Sequence, residues 1–201
     1  MAMNEAAAQI ILASGSPRRA ELLEQLKIRF MRVLPDVDES ARPGEDVVAL
    51  VERLARAKAL AGSAMAGTAL PVLGADTLVA VDGVALGKPA GRSEALDMLA
   101  RLSGRAHEVV SAVAVVAGGS IQAAVSRSTV TFRTISEAEA VRYWDTGEPR
   151  DKAGAYAIQG VGSVFVEHLE GSYSGVVGLP LLQTERLLAA AGVDCWRHRQ
   201  A

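Results

Sequence analysis

The stretch Gln9-Ile10-Ile11-Leu12-Ala13-Ser14-Gly15-Ser16-Pro17-Arg18-Arg19-Ala20-Glu21-Leu22-Leu23 decides how the rest of the chain is read. Gln9 to Ala13 is an apolar run that reads as a short buried strand. Ser14-Gly15-Ser16 breaks it, and Pro17 suits the first position of a helix carrying Leu22, Leu23 and Leu26. A helix N-terminus presents unpaired backbone N–H groups and a partial positive charge. Arg18 and Arg19 therefore stand at its electrostatically unfavourable end, and Arg19 takes the place where a capping box would put Glu or Gln. An anion held by the loop amides, the Ser14 and Ser16 hydroxyls and the guanidinium groups would remove the misfit, and phosphate is the obvious anion. A serine-capped helix with two solvated arginines fits the same residues, and the stretch alone does not choose between them.

The chain has 201 residues, 50% of them hydrophobic, enough for a sizeable core in one large domain or in two small lobes sharing a core. Its 21 basic and 23 acidic residues are spread along the sequence, which argues against a polybasic binder of nucleic acid or of a membrane surface. Any phosphate site is then a local cluster. No uncharged apolar stretch reaches the roughly 18 residues of a membrane span, and the N-terminus lacks the basic region and long apolar core of a signal peptide. A cytoplasmic protein is expected. Cys195 is the sole cysteine, without the spacing of a zinc site, and is expected to be structurally incidental.

Outward from the first helix, Lys27 to Leu34 alternates as a strand that Pro35 ends, and Asp36 to Ser40 is an acidic turn of the kind that most often forms a solvated loop. From Glu45 to about Met65 the spacing of Val47, Leu50, Val51 and Leu54 predicts a helix. Lys58 falls on the same stripe. Its ammonium is directed at the protein or at a cleft, either snorkelling from the core edge or serving function. Leu70 to Val81 reads as a strand buried on both faces, interrupted by Asp76. A carboxylate there needs a cation, a metal or hydrogen-bond donors, in a structural pair or in chemistry.

Asp82-Gly83 signals a hairpin that leads to Gly87-Lys88-Pro89. A helix over Ser93 to Leu102 follows, then a hairpin of His107 to Ala117 and Ile121 to Phe132, and a helix capped by Ser136 that runs to Trp144. Gly147 to Gly160 is a long, glycine-punctuated loop, of a length that in a compact domain is functional or disordered; the apolar Ala155 to Ile158 disfavour disorder. A strand near Val164 to Val166, a glycine-bounded turn over Gly171 to Gly175, a helix from about Pro180 to Ala191 and a polar tail complete the chain. Familiar signatures fail on spacing. Gly83 to Lys88 is not a P-loop, Gly160-Val161-Gly162 lacks the third glycine of a dinucleotide fingerprint, and Gly171 to Gly175 has Tyr where a nucleophile elbow needs Ser.

What remains is a set of phosphate-binding cations (Arg18, Arg19, Lys58, Lys88), carboxylates suited to a hard divalent metal (Glu39, Asp76) and a polar loop ending in Gln159. Hydrolysis of a polyphosphate needs such a set. Cations neutralise the charge that repels water, a metal binds phosphate and carboxylate oxygens, and a carboxylate accepts the proton of the attacking water.

The combination closely resembles the Maf family of nucleoside triphosphate pyrophosphatases over almost the whole chain. The matching pieces are Leu12 through Leu23, Asp38-Glu39, Ala57-Lys58-Ala59, Gly74 through Val79, Gly87-Lys88-Pro89, Leu102 through Arg105, Asp151 through Gly160 and Gly171 through Pro180. The resemblance implies an α/β fold, a long mixed β-sheet flanked by helices, with residues 1–201 forming a single domain of two lobes around a nucleotide cleft, related in architecture to inosine triphosphate pyrophosphatases. It implies cleavage between the α and β phosphates, to a nucleoside monophosphate and pyrophosphate. The double arginine, Thr77 and the loop with Gln159 are similar to the branch acting on dTTP and UTP, with modified pyrimidine triphosphates as further substrates. A 7-methyl-GTP pyrophosphatase and a nucleotide-binding regulator of septum formation and cell division are the alternatives.

By the same resemblance Asp76 is the proton acceptor, and Glu39, Lys58 and Lys88 belong to the phosphates and metal. Arg18, Thr77 and Gln159 are specificity positions, with Ser14, Ser16 and Arg19 in the substrate cradle. Glu39 and Asp76 would hold Mg²⁺ or Mn²⁺, and the expected partners are a nucleoside triphosphate and a second copy of the chain. Two positions depart from the family pattern: Gly175 stands where Asn is common, and Ala106 where Thr often follows Ser-Gly-Arg.

Overall fold

Every residue of Ile10–Ala13 is buried, and the strand they form, β1, lies inside the sheet between two parallel neighbours. The computed structural model describes residues 8–196. In chain order β1 is followed by α1 (Pro17–Gln25), β2 (Phe30–Val33), α2 (Val47–Ala66), β3 (Val72–Val81), β4 (Val84–Leu86), α3 (Arg92–Leu102), β5 (Ala106–Ala117), β6 (Ser120–Phe132), α4 (Glu137–Asp145), β7 (Val166–Glu170), α5 (Tyr173–Val177) and α6 (Leu181–Ala190). The 7-stranded sheet runs β2-β1-β3-β5-β6-β7, with β4 paired to β3 off this path. Parallel neighbours need crossovers, and α1 and α2 supply them; the rest of the sheet is antiparallel, with tight hairpins between β3 and β4 and between β5 and β6. The chain is thus a mixed α/β structure.

Strand β3 is where the sheet forks. On the edge away from β5, Val72 and Leu73 pair with β1, while Val79 to Val81 pair with β4. Among the described residues no strand takes the edge of Gly74 to Leu78 between them, because β1 has ended at Ala13 and turned into α1. The carboxyl end of β1 opens beside this gap, at a point where successive crossovers leave the sheet in different directions, a place where α/β folds characteristically build ligand sites.

Helix α2 covers one face of the fork, and small residues set its distance. A Cβ on Gly74 would lie 2.4 Å from the backbone nitrogen of Ala59 and 2.5 Å from the carbonyl oxygen of Ala55. A Cβ on Gly62 would lie 2.5 Å from that of Ala13. The helix backbone therefore rests almost on the strand, which brings Lys58 within reach of Asp76, two residues beyond Gly74 on the same face. The other face carries two apolar clusters. One gathers Ile10, Leu12 and Leu73 with α1 and α6; the other gathers Val79, Val109 and Phe132 with α3, α4 and Tyr156 to Phe165.

Several sequence expectations need correction. The strand placed at Val164 to Val166 is Val166–Glu170, and Val161–Phe165 is a 3₁₀ turn that buries Phe165. The long loop is a succession of short 3₁₀ turns over Glu148–Asp151 and Ala153–Ala155, packed into the second cluster. Tyr173–Val177 is a helix of one turn or so rather than only a turn. The segment after α6 is not wholly polar: Val193 and Cys195 are buried in the first cluster, so Cys195 is a core residue. The remainder of the expected tail, 197–201, lies outside the described residues.

Two consequences can be measured. Gly74→Ala forces a Cβ into backbone atoms that cannot move independently of α2, and urea denaturation should show a loss of about 2–4 kcal/mol. His107 is buried, 3% exposed, with Nε2 on the Tyr156 hydroxyl at 2.9 Å, and burial pushes its pKa down to about 4. The unfolded chain binds this proton near the ordinary pKa, so stability is full above that value and falls as pH drops from it toward about 4. Between about pH 7 and pH 5 the wild type should lose roughly 2 kcal/mol that a His107→Gln variant does not lose.

Candidate active site

The fork opens into a cavity of about 780 Å³. Every side chain singled out in the sequence lines it: Ser14, Ser16, Arg18, Arg19, Glu39, Lys58, Asp76, Thr77, Lys88 and Gln159. They arrive from both faces of the sheet. Asp76 and Thr77 are consecutive on β3 and so point to opposite sides, Asp76 toward α2 and Thr77 toward the end of α5 at Gly178. The gap in strand pairing lets one cavity touch both.

On the α2 side, Lys58 Nζ stands between two carboxylates, 2.6 Å from Asp76 Oδ1 and 2.6 Å from Glu39 Oε1. The Asp76 side chain is 9% exposed and that of Glu39 57%. The lysine that the helical stripe aimed inward thus compensates a carboxylate in the core, and the acidic turn is drawn over the cavity as its exposed partner. Partial burial opposes ionisation of Glu39. The hydrogen bond and charge of Lys58, with Lys88 and Arg19 further off, outweigh that penalty and hold its carboxyl below the usual value. Asp76 Oδ2 has no hydrogen-bond partner among the described residues, which leaves one oxygen of this carboxylate for a ligand or a water.

On the other side, the arginines divide their work. Ser16 caps α1 by accepting from the Arg19 backbone N–H at 3.5 Å, as the sequence suggests. The Arg19 side chain, however, turns back: Nε donates to the Gly178 carbonyl at 2.9 Å and Nη1 to Ser14 Oγ at 3.1 Å. Desolvation lowers its pKa, with the charge of Asp76 opposing, but a guanidinium remains cationic throughout. Arg19 is therefore as much a clamp between the first loop and the Gly178 turn as a free phosphate ligand. Ser14 Oγ accepts from Arg19 and from the Ser16 N–H at 3.2 Å, so its own hydrogen is the one left to donate. Arg18 lies 3.6 Å from Asp151 across the cavity, and Lys88 stands exposed just past β4.

Thr77 is oriented from below. Ser111 Oγ is 2.6 Å from the Gly175 carbonyl oxygen, which can only accept, so the one Ser111 proton is committed there. The 2.8 Å contact between Thr77 Oγ1 and Ser111 Oγ then requires Thr77 to donate there rather than to the Gly178 carbonyl oxygen, which is 3.4 Å away. The lone pairs that Thr77 offers the cavity are acceptors. Gly175 sits at this junction: a Cβ there would approach Ser172 Cβ and Oγ at 3.2 Å, so the residue that departs from the family pattern fits a tight serine-lined contact.

Sequence reasoning assigned no role to Ser111, Asp151, Lys152, Tyr156 or Gly178. All but Ser111 also line the cavity, and Asp151 and Lys152 pair with each other. The signal for three of them was the unusual polar loop itself, and Gly178 lies in the matched stretch Gly171 through Pro180; for Ser111 there was none.

In sum the residues define an α/β protein with a cation-rich cleft at a sheet fork, large enough for a nucleotide and centred on a lysine-bridged pair of carboxylates. The chain belongs to the Maf family: the model described as "Maf-like protein" matches residues 9–191. It is 51% identical over 190 residues to a dTTP/UTP pyrophosphatase of Chromobacterium violaceum, covering 92% of this chain and 96% of that protein. Relatives bearing the same name in Pseudoalteromonas translucida and Hahella chejuensis are each 50% identical, covering 89% and 94% of this chain and 95% and 94% of theirs.

Proposed function

We propose that the chain hydrolyses dTTP and UTP between the α and β phosphates, giving the nucleoside monophosphate and pyrophosphate. The observation that carries this reading is the Asp76–Lys58–Glu39 arrangement in a cavity whose other cations are Arg18, Arg19, Lys88 and Lys152. The names of the relatives support the same substrates.

The cations and the amides at the start of α1 hold the triphosphate and offset its charge, so that a water molecule can approach phosphorus. Asp76 takes a proton from that water. The water oxygen bonds to phosphorus, the α–β anhydride bond breaks, and pyrophosphate leaves with its charge spread over the lysine and arginine groups. Lys58 keeps Asp76 compensated and aimed. Thr77 presents an acceptor that suits the ring N–H of uracil or thymine, and the Gln159 carboxamide can both donate and accept, which matches the carbonyl and N–H edge of those bases.

The donor set fits a divalent ion. Glu39 and Asp76 already converge on one cationic point, and among the described residues no group of three or more His, Cys, Asp and Glu forms a closed metal cage. That pattern suits Mg²⁺ or Mn²⁺ held by one or two carboxylates and completed by phosphate and water oxygens. When bound, the ion would screen phosphate charge and polarise a phosphoryl oxygen. No helix among the described residues is long and apolar enough to cross a membrane. A cytoplasmic enzyme of one domain, its lobes meeting at the fork and its copies pairing, belongs to the same reading.

Pyrophosphate release from a panel of nucleoside triphosphates, including 7-methyl-GTP, tests the assignment directly: dTTP and UTP should lead it, and a chain that leaves both intact overturns it. Asp76→Asn should lower kcat by about a thousandfold while UTP still binds. Gln159→Ala should raise KM for dTTP and UTP and shift the preference among bases while sparing kcat; an equal loss on every nucleotide would move Gln159 to the phosphates.

A further inference from the structure

The turn that carries Gln159 is held by two side chains that do not line the cavity, Tyr143 on α4 and Glu148 just beyond it. Glu148 is half-buried and fully engaged. Its Oε1 accepts from the Tyr143 hydroxyl at 2.6 Å and from the Gly162 N–H at 2.9 Å, and its Oε2 accepts from the Val161 N–H at 2.9 Å. Tyr143 passes the restraint backwards: its oxygen accepts from the Ala157 N–H at 3.0 Å. Gly160 closes the turn by donating to the Ala157 carbonyl at 3.2 Å. It also lies so close to the carboxylate that a Cβ would fall 2.1 Å from Glu148 Oε2. The backbone is thus pinned at Ala157, Val161 and Gly162, on both sides of Gln159, whose exposed side chain is left to the cavity.

The chemistry of the clamp is specific to a carboxylate. Three donors converge on two oxygens that have only lone pairs to offer, and a carboxamide would turn an N–H₂ group toward at least one backbone N–H. Burial disfavours the charged form of Glu148, but these three hydrogen bonds outweigh it and hold its carboxyl below the usual value. The ring of Tyr143 is fixed in turn by an edge contact on Phe165, with ring centroids 5.1 Å apart.

We propose that Tyr143 and Glu148 are positioning residues for base recognition: together they set the Ala157–Gly160 turn so that Gln159 meets the edge of a pyrimidine base, and they act on the reaction only through Gln159. This rests on the proposed function, in which Gln159 faces the base. An ordinary structural brace would instead hold the fold and the catalytic carboxylate alike.

The test is a double-mutant cycle with UTP and Mg²⁺, following pyrophosphate release. Glu148→Gln should raise KM for UTP about tenfold and leave kcat within about twofold. In a Gln159→Ala background the same substitution should change KM by less than about twofold, because the interaction it tunes is already gone. Tyr143→Phe, which keeps the ring and removes the link, should behave in the same way and serves if Glu148→Gln does not fold. Equal factors in both backgrounds, or a fall in kcat as large as the rise in KM, would overturn the positioning role while leaving the enzyme's activity standing. A wild-type chain that releases no pyrophosphate from UTP or dTTP would overturn the functional reading and this inference with it.

Discussion

The ion pair between Lys58 and Asp76 is the constraint around which the molecule is arranged. A carboxylate as enclosed as Asp76 costs on the order of several kcal/mol to hold unless a cation meets it at close range. The cation comes from α2, and it reaches only because Ala55, Ala59, Gly62 and Gly74 let helix and strand backbones nearly touch. A bulkier seam would push helix and strand apart and draw the lysine away from the carboxylate. Small residues that look like weak core packing are here what makes a charged site tolerable.

The same strand serves the opposite face. Because side chains alternate along β3, Asp76 and Thr77 look into different halves of one cavity, and the break in pairing between β1 and β4 joins those halves. The Asp76 side takes its ion pair from regular elements, a strand and a long helix, with Glu39 added from a turn. On the Thr77 side, loop segments are tied down by side-chain hydrogen bonds to their backbone: Arg19 to Gly178, Ser111 to Gly175, and Glu148 to the turn after Gln159.

Much of this was legible beforehand where the signal is local. The strand, loop and helix from Ile10 to Gln25 follow from an apolar run, a Ser-Gly-Ser break and a proline at the helix start. The inward aim of Lys58 follows from helical spacing, and the anomaly of a buried Asp76 from composition. Arg19 shows where such reasoning stops: its charge at the wrong end of α1 is real, but part of the answer is a carbonyl 159 positions away. The misplaced strand at Val164 has a similar cause. An apolar run of a few residues fits a 3₁₀ turn that buries Phe165 as well as it fits a strand, and only the packing around Phe132 and Tyr143 selects one.

The sequence by itself determined most of the longer elements, their faces and the residue types capable of handling a polyphosphate, since periodicity, caps and turn chemistry act over a few residues. Tertiary structure alone decided that Glu39 is the second partner of Lys58, that Ser111 turns the Thr77 hydroxyl and that Glu148 holds the turn bearing Gln159. The reason is physical. A hydrogen bond between groups a dozen or more positions apart depends on how faces dock, and docking is settled by the shape and burial of the whole chain.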